Sequence, residues 1–272
     1  MQYIKQNKAN LHTHTNFCDH AKGSVSDYVK AAERAGLEAL GFTEHAPVPG
    51  NPLSPNMMTE NLAGYVKAVK SAKETAKLKV FLAAECDFEP ILENFYRDEL
   101  LGRHGFDYLL CSIHIYFDHD ARKISFVSQS KDFARYLSDY TSRYCRALES
   151  GLFLFGCHPD LFRASYLPWD ENAKAAGRDI IQCAKSLDMP LEINGAGLKK
   201  CLIDTPDGKR PPYSTDEFYL TAKDYGLKLC CNSDAHEPEL VADTKDCFEM
   251  ANRLGISFID WAIDGSGKIS VN

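Results

Sequence analysis

The sequence predicts an α/β fold with a parallel sheet, built from seven strand–helix units, and three observations point to it. Short apolar runs and amphipathic stretches alternate along the chain, the pattern that a parallel sheet with crossover helices requires. The helix-to-strand joints are short and carry glycine: Ala35-Gly36-Leu37, Ser150-Gly151-Leu152 and Tyr225-Gly226-Leu227. The strand-to-helix joints are mostly long, and the histidines collect in them. That asymmetry favours a closed barrel, whose chemistry sits at the carboxyl ends of the strands, over a doubly wound sheet with one crevice.

In order, an apolar strand spans Ile4 to Leu11 and is followed by a helix from Ser24 to Gly36. Ser24 caps that helix, Val25, Tyr28, Val29 and Ala32 form its apolar stripe, and Gly36 ends it. Ala39–Thr43 is a buried strand that runs into Glu44 and His45. A loop from Ala46 to Asn56 holds four prolines, and a helix from Thr59 to Lys77 follows. Val80–Ala84 is the third strand and ends at Glu85-Cys86-Asp87. A helix over Ile91–Arg103 leads to the strand Tyr108–Ile113 and then His114. After the long loop Ile115–Ser130, Lys131–Ser150 has the clearest helical period, with Phe133, Tyr136, Leu137, Tyr140, Tyr144 and Leu148 on one face. Leu152–Cys157 is the fifth strand and runs into His158-Pro159-Asp160. A helix over Glu171–Leu187, the strand Leu191–Asn194, a long loop from Gly195 to Tyr213 and a helix over Thr215–Tyr225 come next. The seventh strand, Leu227–Asn232, ends in Ser233-Asp234-Ala235-His236, and a helix over Leu240–Leu254 and the tail Ile256–Trp261 complete the reading.

At 272 residues, with 44% hydrophobic and 25% charged residues, the chain suits one soluble domain over 1–272. A net charge of −7 without a basic block argues against a nucleic-acid partner. No apolar run of membrane-spanning length occurs, and the first residues lack the apolar core of a signal peptide, so the expected location is cytoplasmic. The ten cysteines are then reduced thiols; Cys86, Cys111, Cys157, Cys230 and Cys231 lie in strand-like runs, and Cys18 packs beside the first histidines.

Seven of the nine histidines lie at or just beyond strand ends; His104 and His119 do not. Residues two apart in a strand share a face, so His12 and His14 aim at one point. With His20, His45, Glu85, His114, His158, Asp234 and His236 they form a candidate ligand set on one barrel mouth. Nine ligands exceed the need of one tetrahedral ion, and two or three divalent ions sharing a carboxylate would use them. Imidazole donors suit zinc, iron or manganese better than calcium or magnesium. Such a cluster attracts phosphate and brings the pKa of a bridging water toward neutrality, which supplies a nucleophile without Ser or Cys.

Six motifs carry a family resemblance: Leu11–Thr15 with Phe17–His20, Phe42–His45, Glu85–Asp87, Ser112–His114, Gly156–Asp160 and Asn232–His236. By these the chain resembles the PHP (polymerase and histidinol phosphatase) family, in its histidinol-phosphate phosphatase branch. The resemblance implies a distorted (β/α)7 TIM-like barrel with a trinuclear metal site. It implies His12, His14, Glu85 and Asp234 on one ion, His20, His45 and His236 on a second, and Glu85, His114 and His158 on a third, with Asp19 as a further carboxylate. The implied reaction is hydrolysis of L-histidinol phosphate to L-histidinol and phosphate by a hydroxide bridging metals.

For the proton that the leaving alkoxide needs, Asp160 is the first candidate and His45 and Asp234 the second. Arg163 is placed to clamp phosphate as a bidentate fork. Where the resemblance suggests a second arginine, after Glu192-Ile193-Asn194, this chain has Lys199 and Lys200, which keep the charge but not the fork. Lys209 and Arg210 read as solvated charges, with a mobile lid as the alternative. The substrate's amine would meet an acid such as Asp118 or Asp120. The rival functions are a phosphoesterase acting on another small phosphorylated metabolite or nucleotide, and a metal-binding module without activity.

Overall fold

The structure, a computed structural model, describes residues 1–49, 56–117, 124–126 and 133–272. The chain runs β1 (Gln2–Ile4), a 3-10 turn, β2 (Ala9–Asn10), α1 (Val25–Ala35), β3 (Ala39–His45), α2 (Leu62–Thr75) and β4 (Lys79–Asp87). A π-helical stretch (Phe95–Arg103) leads to β5 (Tyr108–Ser112), the hairpin β6 (Ile115–Phe117) and β7 (Ile124–Phe126), α3 (Phe133–Glu149), β8 (Phe155–Gly156), α4 (Glu171–Ser186) and β9 (Leu191–Asn194). Then come α5 (Gly195–Lys199), the hairpin β10 (Ile203–Thr205) and β11 (Gly208–Arg210), α6 (Asp216–Asp224), β12 (Leu229–Asn232), α7 (Lys245–Leu254), β13 (Trp261–Ile263) and β14 (Ile269–Val271).

Seven parallel strands form the central sheet in the order β12-β9-β8-β5-β4-β3-β2, a nearly closed barrel with helices packed around it. The two end strands, β2 and β12, do not share a full ladder. A parallel bridge between Thr13 and Ala235 and the His14 amide on the Ala235 carbonyl, at 2.9 Å, join them instead.

Period-two alternation divides the core. On β4, Val80, Leu82, Ala84 and Cys86 face the helices, while Phe81, Ala83 and then Glu85 face the barrel interior. The interior floor is Ile4, Ala9, Leu11, Ala39, Phe81, Tyr108, Leu110, Phe155 and Cys230, stoppered by Trp261. Gly41 of β3 is required here: a Cβ at that position would sit 1.8 Å from the Tyr108 hydroxyl, which itself donates to the Leu11 carbonyl at 2.8 Å.

Several expected elements change shape. The strand expected over Ile4–Leu11 is split by the turn Gln6–Lys8, so that β1 pairs antiparallel with β13 while β2 enters the barrel. Asp260, accepting the Gln6 amide at 3.1 Å, and the Cys231 carbonyl, accepting Gln6 Nε2 at 2.7 Å, hold that turn. The fifth strand shrinks to Phe155–Gly156, flanked by Leu154 and Cys157, whose amides still donate to the Leu109 and Cys111 carbonyls at 2.9 and 3.0 Å. The loop expected over Gly195–Tyr213 contains α5 and the β10–β11 hairpin. Helix α1 is as expected: Ser24 and Asp27 make a reciprocal cap, a feature generally worth about 1 kcal/mol, and Gly36 closes the helix at φ 73°.

Candidate metal centre

Glu85 is the hub of the barrel mouth. Its Oε2 lies 3.1 Å from His45 Nδ1, 3.3 Å from His14 Nε2 and 3.4 Å from His12 Nε2. Its Oε1 lies 2.7 Å from His158 Nε2 and 3.7 Å from His114 Nε2. A second carboxylate, Asp234, sits with Oδ1 3.1 Å from His14 Nε2, 3.5 Å from His12 Nε2 and 3.6 Å from His236 Nδ1. His236 Nε2 is 2.9 Å from His20 Nε2, so all nine expected ligands meet in one cluster.

Each strand end contributes by a local device. His45 closes β3, and Glu85 is the inward residue two past Ala83. His114 lies two past β5; Asp87 accepts its amide, and Asp87 Oδ1 lies 3.4 Å from its Nδ1. His158 and Asp234 hold left-handed backbone at φ 29° and 51°, strain of about 1–3 kcal/mol each that the surroundings must impose. On α3, Tyr140 and Tyr144 donate to the carbonyls of Pro159 and Cys157, at 3.1 and 2.9 Å, and so fix the turn that presents His158.

Burial opposes the His14 imidazolium, but Asp234 and Glu85 overcome it and raise the pKa to about 9. His114 is likewise penalised by burial, yet Asp87 and Glu85 carry it to about 9. Burial keeps His45 well below the usual histidine value, and burial together with His14 brings His236 down to about 4. Glu85 and Asp234 resist the upward push of burial because imidazoles surround them, and both are held well below the carboxylate range.

The donor set fits divalent ions. His12 Nε2, His14 Nε2 and Asp234 Oδ1 are buried close together yet lack hydrogen-bond partners among the described residues. Lone pairs converging without hydrogen bonds are completed by a cation. Among the described residues, the groups with donor atoms within 4.8 Å of one another are His12, His14 and Asp234; His14, His45 and His236; His45, Glu85 and His114; His12, Glu85, Cys157 and His158; and His14, Cys18 and Glu44. Shared members limit how many ions bind at once. Asp19 is exposed and belongs to none of these groups.

The other expected site residues are placed differently. Asp160 is fully buried, and its carboxylate accepts the amides of Ser214 and Thr215, at 3.0 and 2.7 Å, and the Thr215 hydroxyl at 2.9 Å. It thus braces the 213–215 turn; burial raises its pKa, and it makes no hydrogen bond to His158. Lys199 is turned away onto Asp243 and Asp246, at 3.0 and 2.9 Å, so its expected phosphate contact is corrected to a surface ion pair. Its neighbour Lys200 stands 5.9 Å over the Tyr213 ring, which packs edge-on against His158 with centroids 5.9 Å apart. Arg163 is fully buried: Nη1 donates to the Tyr166 and Pro168 carbonyls, the guanidinium stacks on Trp169, and Nε and Nη2 have no hydrogen-bond partner among the described residues. Arg210 is not a solvated charge; it donates to the carbonyls of Pro211, Pro212, Arg163 and Leu167 and ties the β10–β11 hairpin down. Asp118, Asp120 and His119 lie outside the described residues.

Glu192 and Glu44 escaped the sequence reading. Glu192 is buried against His12, and Glu44 accepts the Thr15 amide and hydroxyl and the Cys18 thiol. Alternation was the available signal for Glu192, since Leu191 and Ile193 pack toward the helices and leave Glu192 facing inward.

The PHP domain matches residues 10–196, more than half of the chain. The chain belongs to the PHP domain family. The matched segment holds seven of the nine clustered side chains; Asp234 and His236 lie beyond it and are brought in by β12. Among the relatives of this PHP chain, a Deinococcus radiodurans protein described as a probable histidinol-phosphatase is 29% identical over 233 residues, covering 84% of this chain and 85% of that one. A solved structure from Listeria monocytogenes superposes with a TM-score of 0.72 at 20% identity, covering 89% of this chain and 100% of that one. The Lactococcus lactis histidinol phosphate phosphatase, solved with zinc, L-histidinol and phosphate, superposes with a TM-score of 0.68 at 16% identity, covering 98% of this chain and 99% of that one. Both superpositions share the PHP barrel. Among the described residues, no helix is long and apolar enough to cross a membrane.

Proposed function

We propose that this chain, as one catalytic unit over 1–272, is a metal-dependent phosphoric monoester hydrolase that converts L-histidinol phosphate and water to L-histidinol and phosphate, a step of histidine biosynthesis in the cytoplasm. The observation that carries the reading is the gathering of seven imidazoles around Glu85 and Asp234 at the barrel mouth. The Deinococcus relative, described as a probable histidinol-phosphatase, and the Lactococcus enzyme solved with L-histidinol and phosphate support the choice of substrate.

His12, His14, His20, His45, Glu85, His114, His158, Asp234 and His236 hold two or three divalent zinc, iron or manganese ions. Such ions, when bound, polarise phosphate oxygens and lower the pKa of water. The chain's own part is to hold these donors rigidly. Glu85, kept ionised by its imidazoles, has its two oxygens turned toward opposite groups of ligands. Burial keeps His45 neutral, so it can take a proton from water and hand it on. With Asp160 committed to its turn, His45 and Asp234 are the candidates for the proton that the leaving alkoxide requires. Lys200, beside Tyr213 and His158, and the two unpartnered donors of Arg163 are the candidate cations for the phosphate.

The test is phosphate release from a panel of histidinol phosphate, a nucleoside monophosphate and a dinucleotide, with metal content measured on the same sample. Histidinol phosphate should be cleaved far faster than the others. Preference for another monoester overturns the substrate, and no cleavage by metal-replete protein overturns the activity.

A further inference from the structure

We infer that Glu192 is the positioning residue of this centre, fixing the proton of His12 and the backbone of His158 at once. Its carboxylate is fully buried, which is costly unless every lone pair is answered. Four donors answer it. His12 Nδ1 lies 3.0 Å from Oε1 and 3.3 Å from Oε2. Asn232 Nδ2 donates to Oε1 at 2.9 Å, Asn194 Nδ2 donates to Oε2 at 2.9 Å, and the His158 amide donates to Oε2 at 3.2 Å.

Each contact has a consequence for the cluster. A carboxylate at Nδ1 keeps the proton there, and Nε2 is then the lone-pair nitrogen aimed at Glu85 and Asp234. The bond to the His158 amide stabilises the left-handed turn whose imidazole reaches the other oxygen of Glu85. The two asparagines hold the carboxylate in turn. Asn194 Nδ2 also lies 3.2 Å from Asp234 Oδ2, and Asn232 Oδ1 accepts the Leu11 amide just before His12. Glu192 belongs to none of the converging donor groups found among the described residues, and its contacts are to His12 and His158, so its action is on the ligands.

This inference rests on the metal-centre reading, and its test separates the two. Full-length wild-type and Glu192→Gln proteins are titrated with zinc against a chromophoric chelator. Wild type should take up zinc, and Glu192→Gln should bind it about 10- to 100-fold more weakly. In zinc-loaded wild type with ¹⁵N-labelled histidine, the His12 resonances, assigned by their loss in His12→Gln, should show a proton on Nδ1 and none on Nε2. Wild type that binds no zinc overturns the metal reading and this inference with it. Wild type that binds zinc while Glu192→Gln matches it overturns this inference alone. If Glu192→Gln does not fold, the wild-type tautomer decides, and a proton on Nε2 overturns it.

Discussion

The Leu11 amide donates to Asn232 Oδ1 at 2.7 Å across the seam between the end strands β2 and β12 of the barrel. Asn10 adds to that join, its Nδ2 donating to Ser233 Oγ and to the Val241 carbonyl, each at 2.6 Å. The seam carries His12 and His14 on one lip and Asp234 and His236 on the other, so the contacts that close the barrel also bring these four side chains together.

Asn232→Ala should therefore destabilise the protein by about 2–4 kcal/mol, since it strands a buried amide and removes a donor from buried Glu192. Denaturant unfolding of the metal-free protein measures it. A loss below about 0.5 kcal/mol would mean the seam holds without this side chain.

Gly41→Ala tests the barrel floor. The added methyl meets the Tyr108 hydroxyl, and either that ring or β3 must shift, an overpacking cost of about 1–3 kcal/mol or more. Adding Tyr108→Phe removes the clashing oxygen and should recover part of the loss. A double variant no more stable than Gly41→Ala would place the strain elsewhere.

Metal binding should strengthen as pH rises from 6.5 to 9. In the metal-free protein the folded pKa values of His14 and His114 are raised from 6.5 to about 9, so both imidazoles are protonated near neutrality. Those protons stabilise the metal-free fold below pH 6.5, and the contribution is lost as pH climbs through 9. An incoming ion must displace them, which gives up to about tenfold in affinity per proton per pH unit. Calorimetric titration with zinc in buffers of different ionisation enthalpy should record proton release near pH 7.5. A pH-independent affinity with no release would show that these imidazoles stay outside the coordination.

Asp160→Asn separates a bracing residue from a proton carrier. With its donors in the 213–215 turn, the substitution should lower the melting temperature while leaving the shape of the pH–rate profile unchanged. Loss of one limb of that profile would return Asp160 to the chemistry.

Much of this was legible because two signals reinforce each other. Period-two apolar runs define strands, and polar ligands at their carboxyl ends mark the mouth; Leu82-Ala83-Ala84-Glu85 carries both in four residues. Side chains that act through long-range geometry were not legible. Lys199 and Lys200 are adjacent and chemically equivalent in sequence, yet α5 turns one toward Asp243 and Asp246 and leaves the other over Tyr213. Arg210 looked solvated because its four carbonyl partners lie in Pro211, Pro212 and the distant segment 163–167, which only folding brings together. Glu192 carried the alternation signal, but a strand of four residues gives that signal too few positions to stand out.

The most direct check is anomalous diffraction from crystals of zinc-loaded protein, collected on both sides of the zinc edge. Two or three peaks should lie within bonding distance of the nine clustered side chains, with Glu85 touching more than one of them. A map with no peak beside Glu85, from protein shown to contain stoichiometric zinc, would contradict the account.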